Sequence, residues 1–468
     1  MKRIALIFSL AGTLALCALV LGRPAAALVE PKPFHVEPKT VAVQPPVARQ
    51  GSITVSSQLS DPLLAVGGPR DEYLDVDLTG ASAPDARRAP VNLAVVLDRS
   101  GSMSGEKLES ARRAAHALVD RLAETDRLAF ITFGSNVTPL FPSTPCVSEA
   151  KGRMHRLIDG IYDMGGTNLS GGLQAGLRAI EPYAGSYAVN RVILISDGEA
   201  NEGIVSRPGL AAIARGALRE HVSVTALGVG ADFDEDTMQS LAEQGGGNYR
   251  FLQTGGELAS IFDGELRQLA ATVATDAVLH LHLAPGVSLS EVYGYAYDTA
   301  ADGALTVHLP DFAANEHRKL VVALRAPAER EGSEQVVSAR LDYVDVLHSR
   351  APVQTAWNHD ARVIPDQAQA ELGRDRDTYA QVARVQAAGH ASRAATLYSS
   401  GDVSGALDEL KLGRKRAMQL NVIAKDATLG AAVDKVLPAP AALAPPAESE
   451  EGRITAKKMK ADAFQFSR

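Results

Sequence analysis

Residues 91–102 read Val-Asn-Leu-Ala-Val-Val-Leu-Asp-Arg-Ser-Gly-Ser, an apolar run that ends in one carboxylate and two hydroxyls. The apolar part, 91–97, is typical of a buried strand, and a helical pattern begins a few residues later. Asp98, Ser100 and Ser102 therefore lie on one tight loop between strand and helix. Their oxygens are the hard ligands that Mg²⁺ and Mn²⁺ prefer. In a plainer interpretation, the two serines only cap the following helix.

Strands and helices alternate from residue 91 to residue 271. Apolar runs at 128–133, 192–196 and 222–229 are separated by stretches with helical spacing, such as 106–122 and 210–220. Continuous apolar strands between amphipathic helices predict an α/β fold with a mostly parallel sheet that is covered on both faces. In such folds, ligands bind beyond the carboxyl ends of the strands.

Two more polar segments follow elements of this α/β unit. Gly165-Gly166-Thr167-Asn168 precedes a predicted helix, and Ser196-Asp197-Gly198-Glu199 ends a predicted strand. Together with the Asp98 loop, these segments resemble the three metal-site loops of von Willebrand factor type A domains. The resemblance covers 91–271 and implies a Rossmann-like fold.

The resemblance also implies a metal-ion-dependent adhesion site, and all five of its positions carry the expected residue type. Its members would be Asp98, Ser100, Ser102, Thr167 and Asp197, and the ion would be Mg²⁺, Mn²⁺ or Ca²⁺. Two carboxylates would offset the charge of a divalent ion and leave it able to accept an acidic side chain from a partner protein.

The flanking sequence predicts further domains. Residues 272–360 alternate apolar and polar positions as an antiparallel β-sandwich does, and the few strand-like runs in 51–90 are expected to join it. The α/β unit would then be inserted into, or flanked by, the sandwich. Residues 365–436 are Ala-rich and helical. Residues 437–468 read as an Ala/Pro-rich linker followed by a disordered tail.

The N-terminal residues have the pattern of an export signal. Lys2 and Arg3 precede an apolar run, and the small residues 25–27 offer a cleavage site, so 1–27 is predicted to be a signal peptide. A membrane anchor is the alternative interpretation of this run. Residues 28–50 are spaced by prolines and predict an extended linker. We therefore expect a periplasmic or extracellular protein without a transmembrane segment after cleavage.

Three weaker patterns in the sequence also have plainer explanations. The carboxylates at 232, 234, 236 and 243 have the spacing of a calcium loop, but an acidic first turn of a helix explains them. His280, His282 and His308 could form a zinc site, although exposed histidines on a strand are the plainer alternative. Cys146 would be the one cysteine left after cleavage, and we interpret it as a small buried residue.

The net charge of the chain argues against one class of function. A net charge of −8 argues against a nucleic-acid-binding protein. The favoured function is a metal-dependent, adhesion-type protein-binding module that recognises an acidic side chain. The alternative is an envelope scaffold or assembly factor whose interface is the sandwich or the C-terminal helices. Since no general base is placed near Asp98 by sequence, we do not expect an enzyme.

Overall fold

The computed structural model of the chain describes residues 47–83, 88–300, 303–348 and 350–467. The predicted signal peptide and most of the predicted linker lie outside the described residues. The last four linker residues do not continue the linker but form β1 (Val47–Gln50). They follow the last proline of the linker, Pro46, so each has the amide N–H that strand pairing requires.

Three more strands precede the α/β unit: β2 (Ile53–Leu59), β3 (Leu63–Ala65) and β4 (Arg70–Gly80). β1 pairs with β2 and β2 with β4, both antiparallel. The burial of β2 alternates residue by residue, as expected of a strand that covers a core with one face.

The α/β unit follows. Its strands are β5 (Val91–Asp98), β6 (Arg127–Phe133), β7 (Val137–Pro145), β8 (Val189–Ser196), β9 (Ser223–Val229) and β10 (Gly246–Leu252). Its helices are α1 (Glu106–Arg121), α2 (Ser148–Asp159), α3 (Leu169–Ala184), α4 (Arg207–Arg219), α5 (Glu235–Gln244) and α6 (Leu258–Ala270). The strand order is β10-β9-β8-β5-β6-β7. Only β7 runs antiparallel to its neighbour, so the predicted mostly parallel sheet is confirmed.

Helices cover both faces of this sheet. Every residue of β5 and of β8 is buried. Along β5, Leu93 and Val95 belong to one apolar core, whereas Ala94 and Val96 belong to the core on the opposite face. Two buried faces explain why the central strands read as continuous apolar runs rather than as alternating ones.

The following residues form the sandwich. Its strands are β11 (Thr272–Leu283), β12 (Ser288–Tyr293), β13 (Tyr297–Thr299), β14 (Leu305–His308), β15 (Phe312–Ala313), β16 (His317–Ala326), β17 (Gly332–Asp345) and β18 (Ala351–Ile364). One sheet has the order β1-β2-β4-β16-β12. The other has the order β13-β14-β11-β17-β18-β3, with β15 paired to β11.

Strands from both sides of the α/β unit build this sandwich. β4 pairs with β16 over residues 70–79, and β3 pairs with β18. Leu74 and Val76 of β4 share one core with Leu279 and Leu341 of the opposite sheet. The α/β unit is therefore an insertion between strands of the sandwich.

Helices follow the sandwich: α7 (Gln367–Leu372), α8 (Arg376–Ser399), α9 (Val403–Ala424) and α10 (Leu429–Val436). Buried residues of α8, including Tyr379 and Val382, pack on Tyr73 and Val321 of the five-stranded sheet. A short 3₁₀ helix, Pro440–Leu443, follows. No helix among the described residues combines the length and the apolar character needed to cross a bilayer.

The C-terminal tail differs from the sequence-based expectation. Where a disordered segment was predicted, the structure has α11 (Glu450–Phe466). Lys457 and Lys460 are buried at 4% and 2% exposure, and their ammonium groups contact Glu235 and Asp236. The lysines supported the prediction of a disordered tail, but in the structure they form ion pairs with carboxylates at the start of α5. Burial would raise the pKa of Glu235, and the two lysine charges hold it below its usual value.

Candidate metal centre

The structure brings the predicted site residues to one edge of the parallel sheet. Asp98 is the last residue of β5, and Asp197 directly follows β8. These strands are adjacent and parallel, with Leu97 opposite Ile195, so both carboxylates emerge at the same edge. Ser100 directly precedes the short 3₁₀ turn before α1, and Ser102 lies within that turn.

Asp98 is held rigidly within the protein. Its side chain is fully buried; Oδ1 accepts a hydrogen bond from the backbone N–H of Ser100 (2.8 Å), and Oδ2 accepts one from Ser196 Oγ (2.6 Å). Burial raises the pKa of Asp98 to about 6, the hydrogen bonds from Ser196 and Ser100 oppose this rise, and the charge of Asp197 adds to it. Bringing a cation to this edge would relieve the cost of two buried carboxylates.

The two serine hydroxyls link the carboxylates. Ser102 Oγ donates to Asp197 Oδ1 at 2.8 Å, and Ser100 Oγ lies 3.0 Å from Ser102 Oγ. Because a hydroxyl has one proton, Ser102 can donate only to Asp197 and must accept from Ser100. The oxygens therefore form a short chain from the Asp98 loop to the β8 loop.

Thr167 lies on the loop before α3, and its hydroxyl is directed to the same side of the site as that of Ser102. A Cβ atom built on Gly198 would lie 3.3 Å from Ser102 Oγ and 3.4 Å from Thr167 Oγ1. Both hydroxyls thus border the space that the glycine leaves open. The backbone N–H of Thr167 donates to Asn201 Oδ1 at 2.8 Å, which positions this loop against the one that follows β8.

Backbone hydrogen bonds tie the three loops together. The N–H of Met164 donates to the carbonyl of Arg99 at 2.7 Å, and that of Gly101 donates to the carbonyl of Gly165 at 3.2 Å. The N–H of Asn201 donates to the carbonyl of Thr167 at 3.1 Å. The polar side chains are therefore presented by a preorganised frame rather than by independent loops.

A lysine of α1 also lies at this edge. Lys107 Nζ pairs with Asp197 Oδ2 and donates to the carbonyl of Ser102 at 3.3 Å. Lys107, Ser196 and Asn201 are functional neighbours of the site that were not predicted from the sequence. A sequence signal for Lys107 exists, because a basic residue in the first turn of a helix opposes the helix dipole and needs a nearby anion.

The donor set fits a hard divalent cation. Two carboxylates and three hydroxyls converge, and an ammonium group already interacts with one of the carboxylates. Among the described residues, no group of three or more His, Cys, Asp or Glu side chains is arranged to hold a metal ion. The candidate site differs from such clusters because hydroxyls supply most of its donors.

The weaker candidate sites are ordinary structural features. Asp234 Oδ1 accepts from the N–H groups of Asp236 (3.0 Å) and Thr237 (3.2 Å), so it caps α5. His280 and His308 lie on the paired strands β11 and β14, and His280 Nε2 contacts Asp342 at 3.3 Å. Cys146 is a buried free cysteine, and burial raises the pKa of its thiol to about 12.

The fold and the site together define the class of domain. It is an α/β domain with three polar loops at the carboxyl edge of its parallel sheet. The family model of the von Willebrand factor type A domain matches residues 92–264. The chain therefore contains a von Willebrand factor type A domain, and the resemblance drawn from its sequence is confirmed in that respect.

Relatives share this domain to different extents. The uncharacterized protein sll0103 of Synechocystis is 27% identical over 378 residues, which cover 78% of this chain and 88% of that protein. Inter-alpha-trypsin inhibitor heavy chain H3 of rat is 28% identical over 200 residues, which cover 41% of this chain and only 22% of the heavy chain.

A solved structure extends the likeness to most of the chain. The von Willebrand factor type A protein from Catenulispora acidiphila superposes with a TM-score of 0.65, covering 83% of this chain and 92% of that one. At 15% sequence identity, this likeness describes the fold. It includes residues well outside 92–264, because that domain alone is less than half of the chain.

Proposed function

We propose that this protein is an exported, divalent-metal-dependent protein-binding module. Von Willebrand factor type A domains are often protein-interaction or adhesion modules, and this chain carries the donor set that such binding needs. Asp98, Ser100, Ser102, Thr167 and Asp197 would hold the ion, with Mg²⁺ favoured and Mn²⁺ or Ca²⁺ as alternatives. When bound, the ion supplies a Lewis-acidic position for a carboxylate of the partner.

The main support for this proposal is the group of hydroxyls that lies around Ser102. Ser102 Oγ lies within hydrogen-bond distance of Ser100 Oγ and Asp197 Oδ1, and it borders the Gly198 space together with Thr167 Oγ1. Serines that only capped α1 would not need to face residues of two other loops. The N-cap position of α1 is Gly105, so neither serine occupies the position from which a side chain would cap that helix.

Exposed apolar side chains surround this edge and would form the contact area around the acidic residue of the partner. Tyr162 (62% exposed) and Met164 (41%) belong to the loop that carries Thr167. Ile204 (42%) and Val205 (50%) follow Asp197 in the next loop. Apolar side chains that stay exposed together are typical of interaction surfaces.

Metal titration of the full chain tests this function. Mg²⁺ and Mn²⁺ should bind the parent protein and should fail to bind Asp98→Ala and Asp197→Ala. Thr167→Val removes one hydroxyl at nearly constant volume and should weaken binding. Asp163→Ala is the matched control, because Asp163 is an exposed carboxylate on the Thr167 loop that is not among the proposed ligands.

The partner is tested in a second step. An envelope fraction is passed over immobilised protein in Mg²⁺ and in EDTA, and the Asp98→Ala and Asp163→Ala variants are compared with the parent. A partner retained only in Mg²⁺, and only by the parent and Asp163→Ala, supports the proposal. Metal binding that survives in Asp98→Ala, with the thermal midpoint unchanged, would contradict it.

A second interface is supported by one observation. α9 exposes Leu412 (51%), Met418 (71%) and Val422 (75%), which is unusual for an otherwise polar outer helix. This favours the scaffold function, in which the helical region binds the partner. Met418→Lys combined with Val422→Lys should then abolish partner retention while metal binding is unchanged. Retention that depends on Mg²⁺ and survives this double substitution excludes the scaffold alternative.

A further inference from the structure

Two histidines of the von Willebrand factor type A domain face each other on neighbouring helices. His116 of α1 and His155 of α2 have their Nδ1 atoms 2.6 Å apart. Their ring planes differ by 18°, and their ring centroids are 4.9 Å apart. Rings stacked face to face cannot approach to 2.6 Å, so these imidazoles meet edge to edge with the two Nδ1 atoms directed at each other.

A carboxylate lies behind each ring. His116 Nε2 is 3.0 Å from Asp159 Oδ1, and His155 Nε2 is 3.0 Å from Asp120 Oδ1. An ionised carboxylate only accepts hydrogen bonds, so each Nε2 carries a proton. In a neutral imidazole the other nitrogen is then an acceptor. The structure therefore directs two lone pairs at each other, and a positive species between them is needed to hold them there.

The helix backbones around the pair are fixed, while the rings are accessible. Arg112 donates to the carbonyl of Asp159 at 3.2 Å, and Lys151 Nζ donates to the carbonyl of Asp120 at 3.0 Å. The imidazole side chains are 28% and 29% exposed, so a solvated ion can reach them. The pair is also remote from the candidate metal centre, since ten residues of α1 separate Glu106 from His116, or about 15 Å.

We propose that His116 and His155 form a second metal site, specific for a cation that prefers imidazole nitrogen, such as Zn²⁺ or Cu²⁺. Both Nδ1 atoms would be ligands, and water molecules would complete the coordination. Asp159 and Asp120 would orient the rings, as carboxylates commonly do behind metal-bound histidines.

Metal binding needs the two rings to move apart and to tilt. Two nitrogens that each lie about 2.0–2.1 Å from a tetrahedral zinc ion are roughly 3.3 Å apart, so the rings would separate by about 0.7 Å and turn so that both lone pairs point at the ion rather than at each other. The side chains of partly exposed residues can make such an adjustment without moving the helices. Mg²⁺ would not compete here, because it prefers oxygen ligands and octahedral geometry. The two proposed sites of the domain therefore differ in the ions that they select.

Copper titration in saturating Mg²⁺ tests this site separately from the Asp98 site. The full-length parent should bind one tight equivalent of Cu²⁺ whose electron paramagnetic resonance spectrum shows two nitrogen ligands. His116→Gln and His155→Gln should each lose this equivalent. Asp159→Asn and Asp120→Asn should weaken it by about 10- to 100-fold. Asp98→Ala should retain it, so failure of the adhesion-site proposal would not affect this result.

His348→Gln is the matched control, because His348 is an exposed histidine paired with one carboxylate, Asp345, by its Nδ1 atom. It should bind copper as the parent does. The proposal is overturned if copper affinity is the same in the parent, His116→Gln and His155→Gln. It is also overturned if nuclear magnetic resonance shows that a proton stays between the two Nδ1 atoms at saturating Zn²⁺, since the pair then holds only a proton.

Discussion

Lys107 forms an ion pair with Asp197 at the carboxyl edge of the parallel sheet. Asp197 is fully buried, and Ser102 Oγ donates to its other oxygen at 2.8 Å. The ammonium group lies in the first turn of α1, where the helix dipole disfavours a cation. The ion pair with the buried carboxylate of Asp197 therefore offsets the unfavourable position of Lys107 in the helix dipole.

Replacing this lysine should strengthen metal binding. In Lys107→Met, Asp197 loses its ion-pair partner, and an incoming Mg²⁺ or Mn²⁺ no longer meets a like charge. We expect a lower Kd for the metal in calorimetric titration and a larger rise of the thermal midpoint on metal addition.

Lys151→Met is the control for this change, because Lys151 Nζ contacts backbone carbonyls at the C-terminal end of α1, those of Asp120 and Leu122. It should leave the metal Kd unchanged. An equal or higher Kd in Lys107→Met would show that the lysine supports the site rather than competes with the ion.

The C-terminal helix should stabilise the von Willebrand factor type A domain. Phe464 is 3% exposed and packs edge to face on Tyr249 of β10, with ring centroids 5.8 Å apart. Phe464→Ala should lower the free energy of unfolding by about 3–5 kcal/mol through lost burial and the cavity that remains. Thermal unfolding measures this loss, and limited proteolysis should show faster cleavage of the tail.

Lys458 lies on the exposed side of the same helix, so Lys458→Ala is the matched control and should change stability little. If Phe464→Ala were as stable as the parent, α11 would not be docked in solution as it is in the structure.

Burial of Glu72 should make stability depend on pH. This side chain is fully buried; Oε1 accepts from Ser60 Oγ at 2.7 Å, and Oε2 has no hydrogen-bond partner in the described part of the chain. Burial, with the charge of Asp61, raises the pKa of Glu72 from 4.5 to about 8. The fold thus favours the protonated form. The stability that this preference adds to the free energy of unfolding is fully present below pH 4.5 and is lost as the pH rises through about 8.

Glu72→Gln keeps the shape of the neutral carboxyl and removes the titration. The free energy of unfolding of the parent, relative to this variant, should therefore fall between about pH 5 and pH 8. Asp75, whose pKa burial raises to about 7, titrates in both proteins and cancels in the comparison. A difference that does not change with pH would refute the role of Glu72.

A buried ion pair joins the inserted domain to the sandwich. Arg191 of β8 contacts Asp311 at 2.9 Å, and Arg191 also donates to Thr225 Oγ1 at 3.1 Å. Both charged side chains are largely buried, at 6% and 12% exposure. Arg191→Met leaves the Asp311 carboxylate without this partner and should cost about 3–5 kcal/mol of unfolding free energy.

The double variant Arg191→Met, Asp311→Leu should recover only part of this loss, because it removes the unpaired Asp311 carboxylate but leaves the buried Glu265, 3.7 Å from the Arg191 guanidinium, without that partner. Thermal unfolding of the parent, both single variants and the double variant gives the coupling energy. Additive losses would mean that the two residues do not interact in solution.

Local patterns were sufficient to predict the α/β domain. Residues 91–97 are uniformly apolar because helices cover both faces of the sheet, and the loop residues after them are polar because they leave that core. The order of the three loops along the chain also predicted that Asp98, Thr167 and Asp197 would share one edge. In the structure, Asp98 and Asp197 meet because parallel strands end at the same side of a sheet. Thr167 joins them because backbone hydrogen bonds tie its loop to the other two.

Contacts between distant segments could not be predicted from such patterns. The lysines of α11 are typical of a solvated tail until the carboxylates of Glu235 and Asp236 are placed opposite them. Likewise, His116 and His155 are ordinary surface residues of two separate helices, and neither spacing nor composition relates them. The sequence by itself determined most of the strands, helices and polar loops, although not β1 or α11, since periodicity and turn residues act over a few positions. The tertiary structure alone decided which charges meet, because their partners are set by how the elements pack.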